Sequence, residues 1–318
     1  MSVELKGIDE QGDWMFDKSG RTVALAKNQL VFWGSHQERC DKSWVFLDDG
    51  SLLVADLLRI ESEAVVVAGR PWPETRLPRS LVRAILFQPP LNTVKRDRLV
   101  FRVLAGGREE DLLLLEQGDE LRGRAPNVVK PEPGGVHLEN IAWVIQGAVD
   151  PLELPVEKVN AILFSVDRPV PPPPRDTQWV GLSDGSRLLS TSVARAEDSL
   201  VFELSAGLTL ETDASGVSGA NPFEALVFLQ PRGARLQYLS DLKPLGYKHI
   251  PFLSTTWPYE EDRSVSGGRL RSDNAVWLKG LGMHSSSRLA YEIPEPYDQL
   301  HGELSIDQRA GPDGSVVF

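Results

Sequence analysis

The sequence predicts an all-β protein. Short runs of apolar and β-branched residues such as Leu52–Val54 and Ala64–Val67 alternate with glycine-containing turns along most of the chain. Asp-Gly pairs that end at Gly50 and Gly185 follow apolar runs, a pattern typical of hairpins. No long amphipathic helix is indicated by the spacing of apolar residues. We therefore expect small β-barrels or strongly bent sheets.

Length and charge limit the classes of function. The chain has 318 residues, enough for two or three domains, with 34 Lys and Arg against 45 Asp and Glu, a formal net charge of −11. A chain with this negative charge repels polyanions, so nucleic acid and anionic membranes are not expected as partners. Asp97 interrupts the basic run Lys95–Arg98, which we interpret as a solvated loop.

Cysteine and hydropathy patterns exclude further classes. Cys40 is the only cysteine, so an internal disulfide and a cysteine-rich zinc site are ruled out. No apolar run reaches the roughly 18 residues that cross a bilayer, so membrane insertion is not expected. The first residues lack the basic start and apolar stretch of a signal peptide.

Three segments share one plan and are predicted to be repeats: 44–90 (unit 1), 111–169 (unit 2) and 179–233 (unit 3). Each has an early turn glycine, at Gly50, Gly118 and Gly185. Each is predicted to end on a short buried closing strand, at Ala84–Phe87, Ala161–Phe164 and Ala225–Phe228. The three closing phenylalanines are expected to be equivalent.

Domain boundaries follow from composition. The N-terminal strands suggested by residues 14–33 are expected to pair with unit 1. The proline run Pro171–Pro174 is predicted to be a stiff linker before unit 3. The predicted domains are 1–169, holding the N-terminal strands with units 1 and 2, 170–237, holding the linker with unit 3, and a separate C-terminal module at 238–318.

The C-terminal segment carries a specific series of motifs. They are Trp257–Arg263, Gly267–Leu270, Lys279–Ser285 with its Lys-Gly-x-Gly-x-His-Ser order, Leu289–Ile293, Ile306–Asp307 and Gly314–Phe318. In order and spacing this series resembles the NPCBM family of carbohydrate-binding modules. The resemblance implies a jelly-roll β-sandwich related to galactose-binding modules, with the ligand at loops on one end. The family pattern continues past Phe318, so we expect the module to be truncated at an apolar strand, Val316–Phe318.

Sugar recognition needs an aromatic face for the C–H side of a pyranose and a few polar groups for its hydroxyls. The candidate carbohydrate-binding residues are Trp257, Tyr259, Arg263, His284 and Ser286. Trp257, in an expected loop, is the candidate platform, and a place in the sandwich core is the open alternative. His284 follows two glycines, and a buried histidine that braces its loop is the alternative there. Trp277 alternates like a core strand residue.

No catalytic residues and no cofactor are predicted. The sequence has no organised nucleophile, zinc or phosphate-binding motif. The acids Glu260–Asp262 are interpreted as a solvated loop, with a structural calcium site as the weaker alternative.

The predicted function is non-catalytic binding of a glycan or glycoconjugate by residues 238–318, with the units as a spacer or second interaction surface. The alternative is a structural or protein-interaction scaffold formed by the units, with no sugar binding. Because modules of this family are commonly attached to exported proteins, the resemblance implies a periplasmic or secreted location, while a cytoplasmic one stays open.

Overall fold

The computed structural model describes residues 3–124, 128–129, 138–213, 221–232, 236–251, 254–311 and 313–317. The all-β prediction is confirmed: strands dominate, and the one α-helix in the described ranges is α1 (Thr93–Ala105). No described helix has the length and apolar character needed to span a membrane.

The strands fall into a small N-terminal sheet, a large central sheet and three C-terminal pairs. The N-terminal sheet has β1 (Glu4–Ile8), β2 (Trp14–Lys18) and β3 (Arg21–Leu25). The central sheet has β4 (Trp33–Gly34), β5 (Ser43–Leu47), β6 (Leu52–Glu61), β7 (Ala64–Ala68), β8 (Thr75–Pro78), β9 (Val82–Leu86), β10 (Asp111–Leu115), β11 (Glu120–Arg124), β12 (Val128–Val129), β13 (Asn140–Ile145), β14 (Leu152–Pro155), β15 (Val159–Leu163), β16 (Gln178–Leu182), β17 (Arg187–Ala196), β18 (Ser199–Leu204), β19 (Thr209–Glu211) and β20 (Leu226–Pro231). The C-terminal strands are β21 (Gly246–His249), β22 (Glu260–Glu261), β23 (Leu270–Ser272), β24 (Ala275–Trp277), β25 (Leu281–Gly282) and β26 (Ser287–Ala290). Short 3-10 helices occupy Lys27–Gln29, Arg79–Leu81, Val156–Lys158, Pro222–Ala225, Leu239–Asp241 and Gln308–Ala310.

The three units pair their strands in the same way. In each, a first strand lies between its hairpin partner and the closing strand: β5 between β6 and β9, β10 between β11 and β15, and β16 between β17 and β20. Each first strand ends in a bulge, at Leu47, Leu115 and Leu182. The turn glycines Gly50, Gly118 and Gly185 all have positive φ, and each donates its amide to the carbonyl three residues earlier. A 3-10 helix precedes each closing strand, and the long strands β6 and β17 bend at bulges, so the units are bent sheets.

The predicted alignment of the third closing strand is wrong by three residues. In each unit, the first-strand residue before the bulge pairs with one residue of the closing strand. That residue is Ala84 in unit 1, Ala161 in unit 2 and Phe228 in unit 3. Phe228 is therefore equivalent to these alanines and not to Phe87 and Phe164, although all three phenylalanines are buried. Ala225, taken as the start of the strand, lies in the preceding 3-10 helix.

The N-terminal strands do not pair with unit 1, as the sequence suggested. β1, β2 and β3 form their own sheet, and β4 pairs with β20 of unit 3. The indole N–H of Trp14 donates to Gln178 Oε1 of unit 3 at 3.1 Å. This piece of chain therefore packs against unit 3.

Helix α1 occupies the stretch predicted to be a solvated loop. Asn92 caps its first turn by accepting a hydrogen bond from Lys95 N at 3.0 Å. Arg96 and Asp97 are only 7% and 1% exposed, so the loop interpretation is wrong. The helix buries Val100 and Val103 against one apolar face of the central sheet, and the larger core lies apart from this cluster.

The C-terminal segment consists of three antiparallel pairs: β21 with β26, β22 with β25, and β23 with β24. It joins the rest of the chain through a bridge between Gln37 and Ala275 and a hydrogen bond from Val276 N to His36 O at 2.9 Å. The predicted final strand is not formed at 313–317, and its last residue, Phe318, lies outside the described residues. The finer jelly-roll assignment stays a prediction.

Candidate functional site

Trp257 lies on the chain between β21 and β22 and is 52% exposed. Two side chains of β21 hold its backbone. Tyr247 Oη donates to Trp257 O at 2.7 Å, and Trp257 N donates to His249 Nδ1 at 3.0 Å. The indole is therefore presented to solvent on a backbone that is fixed on both sides of the residue.

Two histidine rings stand next to the indole. The ring centroids of Trp257 and His284 are 5.5 Å apart and tilted by 38°, and those of His284 and His249 are 5.8 Å apart and tilted by 32°. His249 therefore contacts both the backbone of Trp257 and the ring of His284. The three residues form one row of flat side chains.

Two tyrosines extend this row. Tyr247 and Tyr259 have ring centroids 5.2 Å apart, and Tyr259 Oη donates to Glu261 Oε1 at 3.1 Å. Tyr247 and His249 are two positions apart on β21, so their side chains lie on the same face of the strand. We call Tyr247, His249, Trp257, Tyr259 and His284 the aromatic patch.

The loop after β25 places His284. A Cβ at Gly282 would lie 2.2 Å from Arg263 O, so only glycine permits this approach of the two backbones. Ser286 adopts a positive φ of 58°, and its carbonyl accepts a hydrogen bond from Ile250 N at 3.0 Å. The loop is thus bound back onto the end of β21, beside the patch.

The five predicted site residues are only partly brought together. Trp257, Tyr259 and His284 belong to the aromatic patch, and the exposed Ser286 lies in the same loop as His284. Arg263 points elsewhere, with its Cζ 4.2 Å from the ring centroid of Phe101 on α1. Two members of the patch, Tyr247 and His249, were not predicted from the sequence. The signal that could have identified them is the alternation of the Gly-Tyr-Lys-His run of β21, which places both rings on one face of the strand.

The acids at 260–262 do not form the solvated loop that was expected. Glu260 and Glu261 form β22, and Asp262 accepts hydrogen bonds from Lys279 Nζ and from Gly280 N, the latter at 3.1 Å. Over the described ranges, no group of three or more His, Cys, Asp or Glu side chains is arranged to hold a metal ion. Trp277 is half-buried on β24 and packs edge-on against Phe32 at 5.6 Å.

A buried ion cluster joins α1 to the C-terminal segment and was not predicted from the sequence. Asp97 of α1 accepts from Arg269 Nε at 2.8 Å, Arg271 Nη2 at 2.7 Å and Arg309 Nη2 at 3.2 Å. Glu38 accepts from Arg96 Nε at 2.9 Å and from Arg271 Nη2 at 2.8 Å. Its members come from α1, the residues before β5 and the C-terminal segment, so it ties these parts together.

The cluster holds both acids ionised. Burial works against the charge of Glu38, but Arg269, Arg271 and Arg96 outweigh it and lower its pKa to about 2. Burial also works against the charge of Asp97, but the hydrogen bond from Arg271 and the charges of Arg269 and Arg271 outweigh it and lower the pKa of Asp97.

The same environment keeps His36 neutral. Burial is the main cause that lowers the pKa of His36 to about 3, and the positive charge of Arg187 is the second. Arg187 itself stands with its guanidinium 4.9 Å from the ring of Trp179. Burial, with the nearby charge of Arg269, lowers the pKa of Arg187 to about 10.

Comparisons with known proteins bear on the C-terminal segment. The family model of the NPCBM/NEW2 domain matches residues 235–318. Neither a curated protein nor a solved structure matches the chain. The matched residues include every member of the aromatic patch. Residues 235–318 are therefore an NPCBM/NEW2 domain, a domain of the carbohydrate-binding type at the C-terminal end of the chain.

Proposed function

We propose that the aromatic patch binds a neutral, galactose-like sugar of a glycan or glycoconjugate without chemical conversion. The observation that carries the proposal is the exposed indole of Trp257, whose backbone is held by Tyr247 and His249. An exposed tryptophan on a fixed backbone offers a stacking face at little entropic cost. The NPCBM/NEW2 match over these residues supports sugar as the ligand.

The polar groups near the indole suit sugar hydroxyls. The His284 ring lies beside it, and Ser286 is exposed in the same loop as His284. The Tyr259 ring lies next to that of Tyr247, and its hydroxyl donates a hydrogen bond to Glu261. Stacking with a few hydrogen bonds must offset the desolvation of hydroxyls and the entropy of association, so a Kd of about 10 μM to 1 mM is expected.

The proposal assigns no catalytic step to the patch. Its members are rings and hydroxyls, and its acidic contact, Glu261, is engaged by Tyr259. Sugar cleavage by the usual route needs two carboxyl groups that flank the scissile bond. A glycan partner also favours a periplasmic or secreted location, where such polymers are displayed.

Units 1 to 3 are proposed to be tandem repeats that support the binding segment. Their common strand pairing and turn hydrogen bonds support a repeat origin. The ion cluster around Asp97 supports a rigid attachment of residues 238–318 to the domain proposed at 1–169. A patch held in this way keeps a fixed orientation relative to the units.

A glycan panel with the full chain tests the proposal. Galactose-containing oligosaccharides are expected to bind, and Trp257→Ala is expected to abolish measurable binding while the melting temperature stays unchanged. Val149→Ala, which also truncates a highly exposed apolar residue, is the control and should bind like the wild type. Absence of any glycan ligand, or full binding by Trp257→Ala, would contradict the proposal.

A further inference from the structure

A polar pocket lies where units 1 and 2 meet. Its residues are far along the chain from the aromatic patch. The closing strands of the two units pair with each other, Ile85 opposite Ile162, and the pocket opens at the end of this pairing beside the last turn of α1. Its volume is about 700 Å³, within the range typical of small-molecule sites. Four arginines line it: Arg79, Arg83, Arg108 and Arg168.

Three of these arginines have acidic partners. Arg79 Nη2 donates to Asp111 Oδ2 at 3.1 Å, and Arg168 Nη2 donates to Asp48 Oδ2 at 2.6 Å. Arg83 Nε lies 3.5 Å from Asp48 Oδ1. Asp48 thus forms ion pairs with the guanidinium groups of both Arg83 and Arg168.

Arg108 differs from the other three. It is 8% exposed and forms no ion pair with any carboxylate of the described residues. Its Nε donates to Phe164 O at 3.1 Å and its Nη1 to Arg102 O at 2.8 Å, at the end of α1. Its third nitrogen, Nη2, is buried and has no hydrogen-bond partner in the part of the chain that the structure describes.

A buried guanidinium with an unused donor is costly unless an anion reaches it. Burial, together with the charges of Arg83 and Arg102, lowers the pKa of Arg108, so its surroundings favour a negative charge. The carbonyls of Phe164 and Arg102 accept from two of its nitrogens and leave Nη2 without a protein acceptor among the described residues.

The other lining residues narrow the chemistry of the anion. Glu109 and Asp167 are exposed members of the lining and repel a doubly charged phosphate more than a single carboxylate. The same two acids, with Ser80, supply acceptors and a hydroxyl suited to a polyhydroxylated molecule.

We propose that this pocket binds an acidic sugar of the hexuronate class, with its carboxylate on Arg108 and Arg168 and its hydroxyls on the surrounding polar side chains. The site is separate from the aromatic patch and goes beyond the function proposed there. A chain with both sites would engage a glycan that carries neutral and acidic sugars.

Titration calorimetry of the full chain with galacturonate and glucuronate tests the proposal, with galactose, glucose and inorganic phosphate as comparison ligands. One uronate is expected to bind per chain at this pocket, more tightly than phosphate. Arg108→Gln is expected to weaken it at least about tenfold, as for a lost charge-assisted hydrogen bond. Because Arg108 also braces α1, the exposed Arg168→Gln is the second variant, with an expected loss of about threefold. Arg21→Gln, an exposed arginine that does not line the pocket, should bind like the wild type.

Uronate binding that survives both pocket variants would overturn the proposal, as would a preference for phosphate or the absence of any uronate binding. Trp257→Ala separates the two sites, because it should leave uronate binding intact. Loss of uronate binding in Trp257→Ala would move the ligand to the aromatic patch and overturn the assignment to Arg108. Failure of the neutral-sugar proposal leaves these outcomes unchanged.

Discussion

Ser51 and Ser186 accept equivalent hydrogen bonds across the contact between units 1 and 3. Ser51 Oγ accepts from Leu189 N at 2.9 Å, and Ser186 Oγ accepts from Val54 N at 2.9 Å. Each serine is the last residue of its unit's Asp-Gly-Ser turn, and each is fully buried. The first and third units therefore face each other as a pseudo-symmetric pair.

Removal of either hydroxyl is expected to destabilise the fold. Ser186→Ala leaves Val54 N buried without its acceptor, which costs about 1–3 kcal/mol of unfolding free energy. Ser51→Ala should cost a similar amount through Leu189 N. Urea denaturation measures both, with the exposed Ser285→Ala as the control. Two variants as stable as the control would refute a structural role for the pair.

Asp97 is expected to be the most sensitive position of the ion cluster. Asp97→Ala leaves Arg269 and Arg271 buried without their shared carboxylate and should cost about 3–5 kcal/mol. The exposed Asp150→Ala is the matched control. Denaturation followed by circular dichroism gives the comparison. A small loss in Asp97→Ala would show that the C-terminal segment does not depend on α1.

Acid should weaken the same cluster. The pKa of Glu38 is lowered from 4.5 to about 2, so its ionised form stabilises the fold fully above pH 4.5. That stability is lost as the pH falls from 4.5 towards 2, because the unfolded chain takes up the proton first. Asp97 contributes in the same direction. Unfolding free energies over this range should fall less steeply for Glu38→Gln than for the wild type, and parallel slopes would contradict the assignment.

Arg263 is expected to act on stability and not on sugar binding, although the sequence places it among the candidate ligand contacts. Its guanidinium packs on Phe101, an exposed cation–π contact worth about 0.5–1 kcal/mol. Arg263→Ala should bind glycan like the wild type and melt slightly earlier. A loss of binding at unchanged stability would return Arg263 to the site.

The hairpin turns were predictable because their signals are local. Gly50 and Gly185 follow aspartate at the end of an apolar run, and the positive φ that each turn needs selects glycine within a few residues. The register in which a closing strand pairs with its first strand is not set by such local signals. The Ala-Leu-Val-Phe run at 225–228 repeats the composition of the other closing strands, but its alanine lies in the preceding 3-10 helix. Phe228 therefore takes the pairing position that Ala84 and Ala161 hold in the other units.

Helix α1 escaped prediction because its buried side includes charged residues. Arg96 and Asp97 look like solvent-facing residues until their partners are known, and the partners of Asp97 stand at 269, 271 and 309. A sequence pattern within one helix carries no trace of charges supplied from so far along the chain. Trp257, by contrast, was predicted in a loop because Ser, Thr and Pro surround it.

The indole signals of the protein test the central claim most directly. The chain has eight tryptophans, and labelling them with ¹⁵N gives one indole N–H signal for each, with that of Trp257 assigned by its absence in Trp257→Ala. On titration with a galactose-containing oligosaccharide, the Trp257 signal should shift and saturate while the signals of the buried Trp14, Trp44, Trp72 and Trp143 stay in place. Sugar binding with an unmoved Trp257 signal, or no shift of any signal at about 10 mM sugar, would contradict the account.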